Sequence, residues 1–493
     1  MLLGDLAHRG AALWPERTAF AWDGRRRTYR DLHERVRRWS GLLAAGGVRP
    51  GDRIAVLAVN VPEVVEAAFG ASLIGAAVVP LNVRLSPAEI RFQVEDAAAR
   101  HAVVHPALDT LARASGLAGL THWTIGAALD RALADAPAGE PPRPDPGAPV
   151  MQLYTSGTTG RPKGCLLTNR GWVAAAANAV QALGLTGDDR LLGALPLFHV
   201  AGCGTALGQL SAGGTVALPP GTSPEVLWPA IAEHAVTVAV FPTGTGRALR
   251  HPAAAPATLR LVFGMAATER PRTLEALRDL GIGYRGVYGS TEAGNFVTVS
   301  TLEDELAHPG TIGRPLPPFD IELDGARRPD EVGELLVRGA SLMAGYAGHP
   351  DPLRDGRLPT GDLVRRDAGG LLYFVDRAKD MVKSGGENVY SAEVERVLAA
   401  HPGVVDAAVI GVPDRRWGEA VKALVVVREG TSPAELDAHC RARLGAFKRP
   451  RWYEVVEAVP RNHSGKILKR ELRAAHDPGK ALRLPETGDG QVT

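Results

Sequence analysis

Apolar residues recur along this chain at two spacings. Leu32, Val36, Trp39 and Leu43 fall on one helical face, and Thr28 with Asp31 forms a capping pair that starts the helix. Gly46-Gly47 ends it, and Ile54-Ala55-Val56-Leu57 is an apolar run of strand length. A further helix is predicted over about 62–74, followed by a strand at Ala77-Val78-Val79. Helices alternating with short apolar strands predict a layered α/β body of mixed sheets and helices. The stretch 134–149, rich in Ala, Pro and Gly, reads as a surface connection. Alternation continues to about Phe374. Beyond Asp376 come shorter strands, at 407–412 and 423–427, and a helix begun by Ser432 with Pro433 in its first turn. The expected division is a large N-terminal domain over 1–376 and a smaller α+β domain over 377–493, with a polar tail fraying after about residue 476.

Composition narrows the classes. A chain of 493 residues exceeds what one core organises. With 56 basic against 54 acidic residues and no basic stripe interleaved with aromatics, nothing favours a nucleic-acid partner. The runs Arg25-Arg26-Arg27 and Arg37-Arg38 read as solvated faces. Cys165, Cys203 and Cys440 form neither a CxxC pair nor a zinc spacing, which fits a reducing cytoplasm. Asp5 interrupts the N-terminus before a secretory apolar core can form. The most membrane-like stretch, 67–79, is bounded by Glu66 and Pro80 and falls short of the ~20 residues a span needs. No stable membrane insertion is expected.

Chemistry concentrates first at Tyr154-Thr155-Ser156-Gly157-Thr158-Thr159-Gly160-Arg161-Pro162-Lys163-Gly164, after a short apolar run. Glycines let backbone N–H groups approach an anion, hydroxyls add donors, and Lys163 neutralises phosphate charge. The loop is not a Walker sequence, because glycine succeeds Lys163 where Ser or Thr is required. Gly202-Cys203-Gly204 fails the dinucleotide fingerprint for want of a third glycine.

Here the chain resembles the adenylate-forming superfamily of acyl-CoA synthetases, peptide-synthetase adenylation domains and firefly-type luciferases. The resemblance runs in order through Leu195-Pro196-Leu197-Phe198-His199, Tyr288-Gly289-Ser290-Thr291-Glu292 and Thr360-Gly361-Asp362. It continues through Asp376-Arg377-Ala378-Lys379-Asp380, Gly385-Gly386-Glu387-Asn388, and from Pro460-Arg461-Asn462 past Ser464-Gly465-Lys466 to Leu472.

The resemblance implies a role for each of these residues. By it, Thr155, Ser156, Gly157, Thr158, Thr159 and Lys163 cradle the ATP phosphates. Tyr288 and Gly289 hold adenine, Thr291 contacts phosphate, and Glu292, with Thr155, holds Mg²⁺. Asp362 and Arg377 bind the ribose, Lys379 is the hinge of a mobile C-terminal domain, and Lys466 is the catalytic lysine. His199 stands beside the acid tunnel, and Phe198, Val200, Gly264 and Met265 line the acid pocket. At Gly286, two residues before Tyr288, relatives often carry a polar side chain. The implied reaction activates a small-molecule carboxylic acid as acyl-AMP. The acyl group then passes to coenzyme A or, alternatively, to a carrier protein or an amine.

Overall fold

The computed structural model describes residues 1–138, 143–155, 162–251, 254, 257–384, 387–461 and 467–483. The chain forms two compact units. One holds residues 1–321, 336–359 and 370–372; the other holds 322–335, 360–369 and 373–493.

In the first unit the predicted capping pair is present. The Thr28 side chain accepts from the Asp31 amide, the Asp31 carboxylate accepts in return, and helix Tyr29–Ala45 runs to a cap at Gly46. Its apolar stripe is fully buried. One sheet has the order Gly345–Tyr346, Lys163–Thr168, Pro149–Thr155, Ala77–Pro80, Arg53–Leu57, His101–Val104, Thr121–Thr124. From Pro149–Thr155 onward the neighbours are parallel, a pairing that requires crossovers, and helices Pro62–Leu73 and Pro87–Asp96 supply two of them. Covered on both faces, Ala77–Pro80 and most of Arg53–Leu57 are buried, which is why they read as continuous apolar runs.

A second sheet includes, side by side, Thr311–Pro315, Asn295–Thr301, Gly283–Ser290, Leu261–Met265, Val238–Ala239, Arg190–Leu192, Thr215–Ala217, Thr18–Trp22 and Arg25–Thr28. Its interior is parallel. Ligands in such sheets bind beyond the carboxyl ends of the strands. Gly264 and Met265 end one parallel strand, and Tyr288 and Gly289 come at the end of its neighbour.

In the second unit, strands Val404–Asp414 and Gly418–Val427 form a long antiparallel hairpin, longer at both ends than the apolar runs suggest. Trp452–Val455 adds parallel to it, and Val382–Ser384 pairs with its start. Helix Ser391–Ala399 contributes Val394 and Leu398 to a core with Val409, Val421 and Leu436. Ser432 caps helix Pro433–Arg441 through a reciprocal bond with Glu435. The tail, expected to fray past about residue 476, holds a short strand at Leu482–Arg483 that pairs with Trp452 and Tyr453. Thr360-Gly361-Asp362, which by its glycine predicts a loop, is instead part of strand Leu358–Arg366, in which Gly361 takes a left-handed φ of 70°.

Candidate active site

Antiparallel pairing of Thr155 with Lys163 closes the phosphate loop at its base, holding the two Cα atoms about 4.5–5.5 Å apart. Ser156, Gly157, Thr158 and Thr159, which complete the predicted cradle, lie outside the described residues, as does Lys466.

Next to Lys163 the chain returns as strand Gly345–Tyr346, with Tyr346 opposite Cys165. The Ala344 amide donates to Leu166 O and the Ala347 amide to Gly164 O, each at 2.8 Å. On the other side, the Met343 amide donates to Glu292 O at 2.9 Å. Tyr346 therefore stands between two predicted site groups. Its hydroxyl donates to Glu292 Oε1 at 2.9 Å, and Lys163 Nζ lies 5.3 Å from its ring centroid. The first contact is a charge-assisted hydrogen bond and the second a cation–π contact. Sequence reading misses Tyr346, because a two-residue strand carries no periodicity.

Glu292 and Thr291 occupy the turn between strands Gly283–Ser290 and Asn295–Thr301. The strand end that leads into this turn needs its glycine. A Cβ at Gly289 would fall 1.8 Å from Asn295 O. Buried Cys165 underlies the turn with its Sγ 3.7 Å from Thr291 O. Burial, and then the nearby Glu292, push the Cys165 thiol pKa well up, so it stays an unreactive packing group. Tyr288 is half-buried and faces the same side of its strand as Tyr284 and Gly286.

Among the described residues no cluster of three His, Cys, Asp or Glu side chains could hold a metal ion. A lone carboxylate nonetheless fits magnesium, which takes one or two protein carboxylates and fills its shell with phosphate and water oxygens.

His199 caps helix Val200–Ser211, its Nδ1 accepting from the Ala201 amide at 3.4 Å. Acceptance at Nδ1 leaves the proton on Nε2 of a neutral ring. His199 is exposed, and desolvation by the groups packed around it lowers its pKa. Phe198 is half-buried and Val200 buried. Gly264 and Met265 lie on strand Leu261–Met265, with Met265 68% exposed. Between that helix and strand is a cavity of about 10 Å³, lined by Leu195, Gly202, Thr205, Val240 and Phe263 among others. None of the four predicted pocket residues lines it.

In the second unit, Arg377 Nε and Asp362 Oδ1 are 2.5 Å apart, and Asp362 is buried at 3% exposure. The structure thus joins the two predicted ribose ligands to each other. Lys379 is exposed in a turn. Around that turn, buried Asp376 accepts from both the amide and the hydroxyl of Ser391 (Oγ at 2.7 Å). Lys469 Nζ reaches Ser391 Oγ at 2.6 Å and Glu395 Oε1 at 2.8 Å.

The model of the AMP-binding enzyme family matches residues 7–347, and that of the AMP-binding enzyme C-terminal domain matches 393–466. The chain is similar to a feruloyl-CoA synthase from Amycolatopsis sp, at 37% identity over 96% of this chain and 98% of that one. It is similar also to the fatty acid–[acyl-carrier-protein] ligase ScoC from Streptomyces coeruleorubidus, at 35% identity over 93% of each. Among solved structures, o-succinylbenzoate CoA synthetase from Bacillus subtilis, in complex with its acyl-adenylate intermediate, matches with a TM-score of 0.86. That match has 31% identity over 96% of this chain and 98% of the other. No helix among the described residues is long and apolar enough to cross a membrane. With both family models matched in order and Lys163 joined to Glu292 through Tyr346, the chain belongs to the AMP-binding enzyme family and is an adenylate-forming ligase.

Proposed function

We propose that the protein is an AMP-forming carboxylate–CoA ligase working in the cytoplasm. The observation that carries this is the Lys163–Tyr346–Glu292 array, which sets a fixed ammonium and a fixed carboxylate beside one loop. Such a pair suits a triphosphate with its magnesium. Lys163 neutralises phosphate oxygens, while Glu292, with the Thr155 hydroxyl, would hold the ion that offsets the remaining charge. Tyr288 offers its ring to the base, and Thr291 a hydroxyl to phosphate. Asp362 and Arg377 bind the ribose hydroxyls.

The acid enters beside Phe198, His199 and Val200, against the strand end at Gly264 and Met265. Its carboxylate attacks the α-phosphate, and pyrophosphate leaves. Charge builds on the oxygens in that step, and the Lys466 ammonium stabilises it while aligning the two reactants. The large domain is residues 1–376 and the mobile one 377–493. Rotation at Lys379 then withdraws Lys466 and admits a thiol, which displaces AMP from the mixed anhydride without a covalent enzyme intermediate. Coenzyme A is the favoured acceptor, since the relatives are named a feruloyl-CoA synthase and an o-succinylbenzoate CoA synthetase. The ScoC likeness supports a second reading, in which the acceptor is a carrier protein.

Pyrophosphate exchange across a panel of aryl and fatty acids tests the first step, with mass spectrometry of products formed with and without CoA testing the second. Lys466→Ala is expected to abolish exchange while sparing thioester formation from supplied acyl-AMP. Equal loss of both steps would contradict the alternation of domains. Acyl-AMP release with no CoA thioester from any acid would favour the carrier-protein reading.

A further inference from the structure

Gly286 lies two residues before Tyr288 on strand Gly283–Ser290, so the two positions face the same side of the sheet about 7 Å apart. Position 286 has no room for a side chain. A Cβ built there falls 1.9 Å from Glu305 Oε1 and 2.4 Å from Ser300 Oγ. The Glu305 carboxylate thus fills the place that a side chain at 286 would take, although it arrives from a different element, helix Leu302–Ala307. Gly264 pairs with Gly286 across the neighbouring strand. Glu305 and Ser300 fill the face over Gly286, and the Tyr284 hydroxyl lies 3.0 Å from where a Cβ at Gly264 would stand, so the Glu305 carboxylate is the polar group beside Tyr288 on this face.

Glu305 is only 4% exposed. The Ser300 hydroxyl donates to Oε1 at 2.7 Å, and the Ala267 amide also hydrogen-bonds to the carboxylate. A carboxylate offers about four acceptor positions, so these donors leave capacity for another. Burial, and with it the nearby charges of Glu269 and Asp304, raises the Glu305 pKa against the lowering effect of the Ser300 and Ala267 hydrogen bonds.

A purine stacked on Tyr288 brings its edge toward that carboxylate. Adenine carries a donating amino group at position 6, whereas guanine and hypoxanthine carry an accepting oxygen there. We propose that Glu305 reads position 6 of the base, accepting from the adenine amino group a hydrogen bond that a 6-oxo purine cannot supply at that position. This rests on the proposed placement of the base on Tyr288.

Calorimetric titration of the full-length protein with ATP and with ITP, both with magnesium, tests the assignment. Wild type should bind ATP at least about 50-fold more tightly than ITP, since a buried polar site rejects an edge that leaves it unpaired. Glu305→Gln keeps the shape and can present its amide nitrogen to a 6-oxo group. It should narrow the preference to about fivefold or less without lowering the thermal midpoint. A folded Glu305→Gln protein with the wild-type ATP:ITP ratio would overturn the assignment, and so would equal binding of the two nucleotides by wild type. Should the glutamine variant fold poorly, Glu305→Asp withdraws the carboxylate by one methylene and should weaken ATP binding alone; unchanged ATP binding would count against the assignment. Failure of the ligase reading looks different: no acid would then support ATP–pyrophosphate exchange in wild type, whichever base binds better.

Discussion

Tyr346 matters through what its two ends touch. Removing the hydroxyl in Tyr346→Phe leaves the ring under Lys163 but deprives Glu292 of a donor at 2.9 Å. A hydrogen bond to a charged acceptor contributes about 1.5 kcal/mol or more, roughly a tenfold effect on an equilibrium. The apparent magnesium requirement for ATP binding is therefore expected to rise about tenfold, with the KM for the acid nearly unchanged. Titration of magnesium at fixed ATP checks this, and an unaltered requirement would remove Tyr346 from the site. The motif residues Tyr288, Thr291 and Glu292 are legible in the sequence because their order and spacing are local. Tyr346 and Glu305 are not, because each reaches its place through a contact between separate segments of the chain.

At the scale of elements, local signals carry well. The capping pair at Thr28, the helix start at Ser432 and the alternation up to Phe374 are readable because a cap and a periodicity are short-range facts. The order of strands is not readable, since every parallel neighbour is supplied by another part of the chain. Asp362 reads as a loop residue because Gly361 resembles a turn signal, whereas the strand accommodates that glycine by a positive φ. The cap of helix Val200–Ser211 gives a pH prediction. His199 has its pKa lowered in the folded protein, so on acidification the unfolded chain takes up the proton first. Its contribution to stability is intact above the ordinary histidine value near 6.5 and is lost as pH falls below it toward the folded value. His199→Asn, which retains a capping acceptor, should flatten that part of the profile. Denaturant melts at about pH 7.5 and about pH 5.5, on either side of that value, measure it. An identical loss in both proteins would dissociate His199 from the effect.

At the scale of the whole molecule, the proposed motion at Lys379 meets a specific resistance. Asp376 precedes the turn and Ser391 comes after it, yet two hydrogen bonds join them in the interior of one compact unit. Lys379→Pro should slow thioester formation more than adenylation, and single-turnover measurements of the two steps would show it. Equal slowing would argue against a hinge there. Asp376→Asn keeps the size of the side chain but weakens the pull on Ser391, and should accelerate the switch between steps. An unchanged switching rate would assign Asp376 to packing alone.

The Asp376–Ser391 contact also bears on timing. Because the Ser391 hydroxyl gives to Asp376 and receives from Lys469, parting the pair unsettles three side chains at once. Breakage of that kind is abrupt, so the enzyme should dwell in one posture and then snap to the other. An unstable acyl-adenylate would then have to outlast that dwell before an acceptor could displace its AMP.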